Sequence, residues 1–107
     1  MRAAPDAVFR SLADPTRRAI LERLIREGEL TVSAITGESG VSQPMVSKHL
    51  GILKSAGLVH DRRAGRETHY SAQPRGLAPM VDWMKHYREF WGDRFDRLEK
   101  LLDRMDK

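Results

Sequence analysis

Residues 42–57 constrain the fold of this chain more than any other stretch, because they predict one capped amphipathic helix. Ser42 is a good N-cap residue, and Pro44 falls in the first turn, where a missing N–H is tolerated. Gly57 lies where a left-handed residue would end the helix. The apolar side chains between these ends repeat at helical spacing and predict one buried face: Val46, Leu50 and Leu53.

The opposite face of this helix is small, polar and basic, with Ser47, Lys48, Gly51 and Ser55. No acidic residue occurs anywhere in residues 42–60. A helix with such a face can enter a DNA major groove without repelling the phosphates. The alternative for the helix alone is an ordinary solvent-exposed surface helix.

The net charge of +4 is concentrated in one part of the 107-residue chain. Residues 1–41 carry six basic and six acidic residues, and residues 76–107 carry seven of each. Residues 42–75 carry six basic residues against two acidic ones, which accounts for the whole excess. Localised positive charge predicts binding of a polyanion.

The remaining sequence predicts a single winged-helix domain over residues 1–107, mostly α with a small β-hairpin. Asp14 and Thr31 are predicted N-caps of two helices, and Gly28 ends the first of these. The predicted parts are N-terminal helices at 5–28, a helix-turn-helix at 31–56, a wing at 58–72 and a long helix at 77–105.

The predicted wing is a hairpin with its tip at Ala64 and Gly65. Three arginines cluster around that tip: Arg62, Arg63 and Arg66. A basic hairpin directly after a recognition-type helix favours DNA contact over an ordinary solvated hairpin.

The last segment predicts a helix of about thirty residues, or about 45 Å. It carries an apolar stripe at three- and four-residue steps, and nothing else in the chain remains to cover that stripe. We therefore predict a dimerisation helix with the first helix beside it, the alternative being packing within one chain. The predicted dimerisation residues are Phe9, Met80, Trp83, Met84, Tyr87, Phe90, Trp91, Phe95 and Leu98.

The chain has no cysteine, which excludes disulfides and thiolate metal sites and fits a reducing cytoplasm. We expect no membrane association, because no apolar run approaches the length needed to span a bilayer. No glycine-rich phosphate loop and no convincing catalytic arrangement is present, so we expect neither an enzyme nor a cofactor.

Two stretches resemble the ArsR/SmtB family of bacterial winged-helix repressors. They are FRSLADPTRRAIL at 9–21 and VSQPMVSKHL at 41–50, and the resemblance covers about residues 5–75. The aromatic pattern of the last helix resembles a subgroup without metal-site signatures. Thr31 and Ser33 stand where metal-sensing members carry Cys-x-Cys, and Asp82 is followed by His86 instead of completing an Asp-x-His motif.

The resemblance implies a homodimeric repressor that binds double-stranded DNA at an inverted repeat. Two copies of the helix would enter successive major grooves about 34 Å apart. Gln43, Ser47 and Lys48 would lie nearest the base edges. His49 would contact phosphate or give structural support, and Arg17 and Arg18 would contact phosphate or form intramolecular salt bridges. The full predicted DNA-binding set is Ser42, Gln43, Pro44, Met45, Ser47, Lys48, His49, Arg62, Arg63 and Arg66.

Other readings stay open at this point. A metal-responsive repressor would use Asp82, His86, Glu89 and Asp93 at helical steps, or His60 and His69 opposite each other in the wing. A third reading is a module that acts mainly through a protein partner. Whether an unknown small-molecule or protein effector controls the chain also stays open.

Overall fold

The computed structural model describes residues 5–106, except for the side chains of Phe90, Trp91 and Phe95. Five helices and a 3₁₀ turn accompany one short three-stranded sheet in the described residues. In chain order they are α1 (Asp6–Leu12), α2 (Pro15–Glu27), β1 (Leu30–Thr31), α3 (Val32–Ser39), α4 (Gln43–Ser55), β2 (Val59–Ala64), β3 (Glu67–Ala72), a 3₁₀ turn (Pro74–Leu77) and α5 (Ala78–Met105).

The three predicted N-caps are confirmed. The Asp14 carboxylate accepts hydrogen bonds from the backbone N–H groups of Thr16 and Arg17 at 2.8 and 3.0 Å. The Thr31 hydroxyl accepts from the third residue of α3 at 3.1 Å, and the Ser42 hydroxyl accepts from the third residue of α4 at 3.4 Å. Each cap satisfies a backbone donor that has no partner inside its helix.

The sheet has the strand order β1-β3-β2, and both strand pairs are antiparallel. Strand β1 was not predicted. Its two residues pair with the wing, Leu30 with Tyr70 and Thr31 with His69. A two-residue strand is too short to show alternating hydrophobicity, and Thr31 also caps α3, so its sequence indicated a helix start alone.

The predicted wing tip at Ala64 and Gly65 is wrong by one residue. Ala64 pairs with Glu67, so the loop consists of Gly65 and Arg66. Gly65 has φ 63°, which matches the first central position of a type II′ turn and explains why glycine occupies it. Moving the two-residue loop by one position shifts the strand register by two.

The register also corrects the predicted pairing of His60 with His69. His60 lies opposite Ser71, and His69 lies opposite Arg62. The two histidines are therefore not cross-strand partners, and the proposed histidine-pair site has no structural basis in the wing.

The core is built around α4, whose buried face was predicted. Val46, Leu50 and Leu53 are fully buried. They pack with apolar residues of the other helices and the first wing strand: Val8, Ile20, Leu21, Leu24, Ile35, Leu58 and Val59. Burying a side chain of this size contributes about 1.5–3 kcal/mol, so the core fixes α4 firmly with its polar face outward.

The 3₁₀ turn that precedes α5 is held against the residues that follow α4. Gly57 has φ 79°, and a Cβ on Gly76 would overlap the Gly57 carbonyl. The Gln73 N–H also donates to the Leu58 carbonyl at 2.8 Å. These contacts need two glycines, and they set where α5 leaves the domain.

Helix α5 is kinked inside the predicted long helical segment, because Gly92 has non-helical backbone angles (φ 23°, ψ −105°). Met80, near its start, packs against the core of its own chain, while Leu98 beyond the kink is exposed. No helix in the described part of the chain is long and apolar enough to cross a membrane.

Candidate nucleic-acid interface

The exposed face of α4 presents three polar residues that were predicted to contact bases: Gln43, Ser47 and Lys48. In the first turn of the same helix, Pro44 and Met45 are exposed, Met45 to 41%. The polar groups stay at the surface because the apolar face of α4 is fixed in the core.

The wing and α4 enclose a cleft of about 260 Å³. Gln43 and Ser47 line it from the helix, and the wing contributes Arg63 and Arg66 together with Glu67 and Thr68. The start of α3 contributes Thr31, Val32 and Ser33. The structure therefore brings together, at one cleft, residues of the helix and wing sets that the sequence separates by about twenty positions.

Arg62 is placed differently from its two neighbours. Its Nε and Nη2 donate to the two carboxylate oxygens of Glu29 at 2.9 and 2.6 Å, and the Ser71 hydroxyl donates to the same carboxylate at 3.2 Å. The hydrogen bond from Arg62 is the main cause that lowers the pKa of Glu29. His69 Nδ1 lies 3.7 Å from Glu29 Oε1, so the network joins both long strands of the wing to the residue before β1.

Arg63 and Arg66 are exposed, and neither has a carboxylate within 4.0 Å among the residues that the structure describes. Lys54, by contrast, pairs with Asp61 at 3.0 Å, and that contact raises the pKa of the lysine. The unpaired cations around this cleft and the adjoining helix face are therefore Arg63, Arg66 and Lys48 within the described chain.

His49 supports the helix from inside. It is only 5% exposed, and its Nδ1 lies 3.4 Å from Nη1 of Arg17. Arg17 also donates through Nε to the Ser11 carbonyl at 2.7 Å and through Nη2 to the Arg10 carbonyl at 3.4 Å. Of the two predicted roles for His49, the geometry favours structural support, because His49 contacts Arg17 of α2, and Arg17 in turn binds the end of α1.

Of the two alternatives predicted for Arg17 and Arg18, the intramolecular salt bridges do not occur among the described residues. Arg18 Nη1 donates to the carbonyls of Leu12 and Ala13 at 2.7 and 3.2 Å. Both arginines thus bind carbonyl oxygens at the end of α1, where a helix leaves its last carbonyls without internal partners. The sequence contained a signal for this role, because both arginines follow closely after the predicted end of the first helix.

A second exposed feature is aromatic and lies where α1 meets α5. The rings of Phe9 and Trp83 meet edge to face at a centroid distance of 5.3 Å, and those of Trp83 and Tyr87 lie 4.5 Å apart. All three remain between 38% and 44% exposed, and Met84 is 55% exposed. Three further predicted dimerisation side chains lie outside the described residues: Phe90, Trp91 and Phe95.

The residues of the metal-responsive reading do not converge. Among the described side chains, no group of three or more His, Asp and Glu residues could hold a metal ion. The kink at Gly92 separates Asp93 from the earlier members Asp82, His86 and Glu89, so the regular one-face spacing assumed for them is interrupted.

Comparison with known proteins gives consistent matches. Residues 12–62 match the model of a helix-turn-helix domain family. The chain is 48% identical over 100 residues to the HTH-type transcriptional regulator Rv2034 of Mycobacterium tuberculosis, covering 94% of this chain and 90% of that protein. It is 38% identical over 80 residues to the transcriptional repressor SdpR of Bacillus subtilis, covering 75% and 88% of the two chains.

Solved structures agree with these relatives. An ArsR family transcriptional regulator, RHA00566, superposes with a TM-score of 0.75 at 30% identity, covering 86% of this chain and 97% of that one. The homodimeric winged helix-turn-helix DNA-binding domain of Mb0332 from Mycobacterium bovis superposes with a TM-score of 0.62 at 31% identity, covering 78% and 77%. The chain accordingly belongs to the ArsR/SmtB family of winged helix-turn-helix transcriptional regulators and is a DNA-binding regulator, not an enzyme.

Proposed function

We propose that this regulator is a homodimeric repressor that binds an inverted-repeat operator through α4 and the wing. The observation that carries the proposal is the cleft in which Gln43 and Ser47 meet Arg63 and Arg66. Groups that can read base edges and cations that can hold phosphates face the same opening. A DNA duplex needs both, because phosphate contacts position the protein and base contacts specify the sequence.

Helix α4 is proposed to lie in the major groove. Gln43 can form a bidentate hydrogen-bond pair with adenine, Lys48 can donate to guanine, and Ser47 can bond to either. Ser42, Pro44 and Met45 form the cap and first turn, which would lie beside the groove wall, where backbone N–H groups of a helix start suit a phosphate. His49 supports the helix from behind.

The wing is proposed to hold the DNA backbone or the adjacent minor groove through Arg63 and Arg66. Arg62 would mainly stabilise the wing in the free protein, because its guanidinium already donates two hydrogen bonds to Glu29. This division leaves two free wing cations in each protomer, or four in a dimer.

Dimerisation is proposed to use the aromatic surface formed by Phe9, Trp83 and Tyr87, continued along α5 by Met84 and Leu98. Exposed rings in mutual contact are unusual on a monomer and common at interfaces. The related domain from Mycobacterium bovis is homodimeric. A two-fold axis at this surface would present two copies of α4 to one face of the duplex, as an inverted repeat requires.

A dimer bound at a promoter would act as a repressor by excluding the transcription machinery, and one relative carries the name repressor. We place this action in the cytoplasm, where the regulated DNA is.

The test is fluorescence anisotropy with the purified protein and the DNA just upstream of its own coding region. Titrations at two salt concentrations, with unrelated duplex as competitor and with or without Zn²⁺, separate the possible results. We expect tight binding that resists competitor, weakens as salt rises and ignores zinc. Binding abolished by zinc would revive the metal-responsive reading, and binding to upstream and unrelated DNA alike would contradict a sequence-specific repressor.

A further inference from the structure

A groove distinct from the wing cleft lies between α1 and α4, with a volume of about 670 Å³. Its lining includes Ser11, Ser55 and four small or apolar residues that are here called the floor: Ala7, Gly51, Ile52 and Ala56. Apart from its chain neighbours and the backbone of its own helix, no heavy atom of the described structure lies within 4 Å of the position that a Cβ on Gly51 would take. Glycine is therefore not required there to avoid a clash, and its effect is to leave the middle of the groove open.

Cations surround this groove. Arg10, Arg17 and Lys48 all line it, and no acidic side chain of the described residues does. Within the described residues, none of the three has a carboxylate within 4.0 Å. The hydrogen bonds of Arg17 go to two carbonyl oxygens and an imidazole nitrogen, which leaves its positive charge uncompensated by an ion pair.

We propose that the α1–α4 groove binds a small organic anion with an apolar body, such as a medium-chain carboxylate. The carboxylate would meet the cations and the hydrocarbon would cover the apolar floor. Volumes of about 300–1,000 Å³ are typical of small-molecule sites, and such sites combine an apolar lining with few polar groups. An inorganic phosphate would use the cations alone and would gain nothing from the floor.

The site has a consequence for regulation that rests on the proposed repressor function. Lys48 lines the α1–α4 groove and is also the proposed base-reading lysine of α4. A bound carboxylate would neutralise that lysine and place negative charge beside the DNA-facing side of the helix. The ligand and the operator would then compete, and the ligand would act as an inducer.

The direct test is isothermal titration of octanoate into the full-length protein without DNA. Neutral 1-octanol and inorganic phosphate are the two comparison ligands. We expect octanoate to bind at one site per chain, and both comparison ligands to bind at least about tenfold more weakly, because each lacks one half of the interaction.

Three variants locate the site. Ala7→Leu fills the floor from α1 and should weaken octanoate binding about tenfold or more. Arg10→Gln removes one rim charge and should weaken it about threefold to tenfold. Ala19→Leu, the same change at an exposed position of α2 outside the groove, should leave binding unchanged.

Several results would overturn the proposal. Equal binding of phosphate and octanoate would assign the rim to DNA phosphates, and equal binding of 1-octanol would indicate unspecific apolar binding. An unaffected Ala7→Leu variant would place octanoate elsewhere, for example on the aromatic surface of α5.

A second experiment, operator binding in the presence of octanoate, tests the inducer role separately from the ligand site. Octanoate, at constant ionic strength, should weaken operator binding by the wild type but not by Ala7→Leu. Octanoate that binds without changing operator affinity would overturn the inducer role and support the site alone. A protein that binds no DNA would contradict the proposed repressor, while the titration without DNA would still decide the groove.

Discussion

Neutralising Arg66 should remove more of the salt-dependent DNA affinity than neutralising the Glu29–Arg62 pair. Arg66 is exposed in the wing loop and has no carboxylate partner in the described chain. Arg62 already makes two hydrogen bonds to Glu29, at 2.9 and 2.6 Å. A phosphate contact from Arg66 therefore adds a new charge pair, whereas one from Arg62 would have to replace an existing pair.

The expected size follows from counterion release. Each phosphate contact adds about 0.9 to the slope of log affinity against log salt, so Arg66→Gln in both protomers should lower the slope by about 1.8. Between 50 and 200 mM salt, the wild type should then lose about twelvefold more affinity than the variant. The double variant Glu29→Gln with Arg62→Gln removes one charge of each sign, keeps the net charge, and should leave the slope close to that of the wild type.

Anisotropy at five salt concentrations measures these slopes, and circular dichroism checks that both variants fold. Titrations with operator and with unrelated duplex should show the same loss for Arg66→Gln, because a phosphate contact carries no sequence information. An equal fall in slope for the double variant would show that Arg62 leaves Glu29 for phosphate. The distinction between free and paired wing cations would then be wrong.

Four further predictions test other parts of the molecule. Lys48→Ala should weaken operator binding more than binding to unrelated duplex in the same assay, because Lys48 is proposed to read bases; equal losses would contradict that role. Trp83→Ala should weaken self-association about tenfold or more in sedimentation equilibrium, and an unchanged dimer would place the interface elsewhere. Gly76→Ala should lower the free energy of unfolding, measured in urea, by about 1–3 kcal/mol, because the added Cβ overlaps the Gly57 backbone. Gly51→Ala is the control and should not destabilise the protein, because its Cβ would meet no other part of the fold. The pKa of Asp14 is lowered, mainly by the hydrogen bond from the Arg17 N–H, so the stabilisation that the carboxylate gives is complete above the ordinary value of 3.8 and is lost as pH falls through the lower folded value. Asp14→Ser keeps a neutral cap and should therefore reduce the loss of stability against urea in this acid range. An equal loss in the variant would show that other groups cause it.

Features set within a few residues were predictable from the sequence. The caps at Asp14, Thr31 and Ser42 depend on one side chain and the N–H groups two or three positions later, so their sequence signal is complete. The buried face of α4 depends only on helical spacing. The turn of the wing is also local, but shifting the glycine by one loop position moved the register by two and separated His60 from His69.

Contacts between distant parts of the chain were not predictable in this way. Glu29 meets Arg62 across 33 positions, and nothing in either local sequence indicates the pair. The same holds for Gly76, whose close contact with Gly57 becomes visible only when the 3₁₀ turn is placed against the residues that follow α4. Such contacts depend on the register of the wing and on the short strand β1, which no periodicity reveals.

The charge pattern shows why this difference matters for function. Counted along the sequence, residues 42–75 carry a net charge of +4 and the first 41 residues are neutral. In the fold, Glu29 from the neutral part neutralises Arg62, and Asp61 neutralises Lys54 within the basic part. The charge count therefore points to the stretch that supplies the proposed binding surface, but it could not say which cations are free of ion pairs. If the interface works as proposed, the salt dependence of DNA binding should fall when Arg63, Arg66 or Lys48 is neutralised. It should not change when the ion-paired residues are neutralised together. The number of free cations, and not the net charge, would then set the affinity.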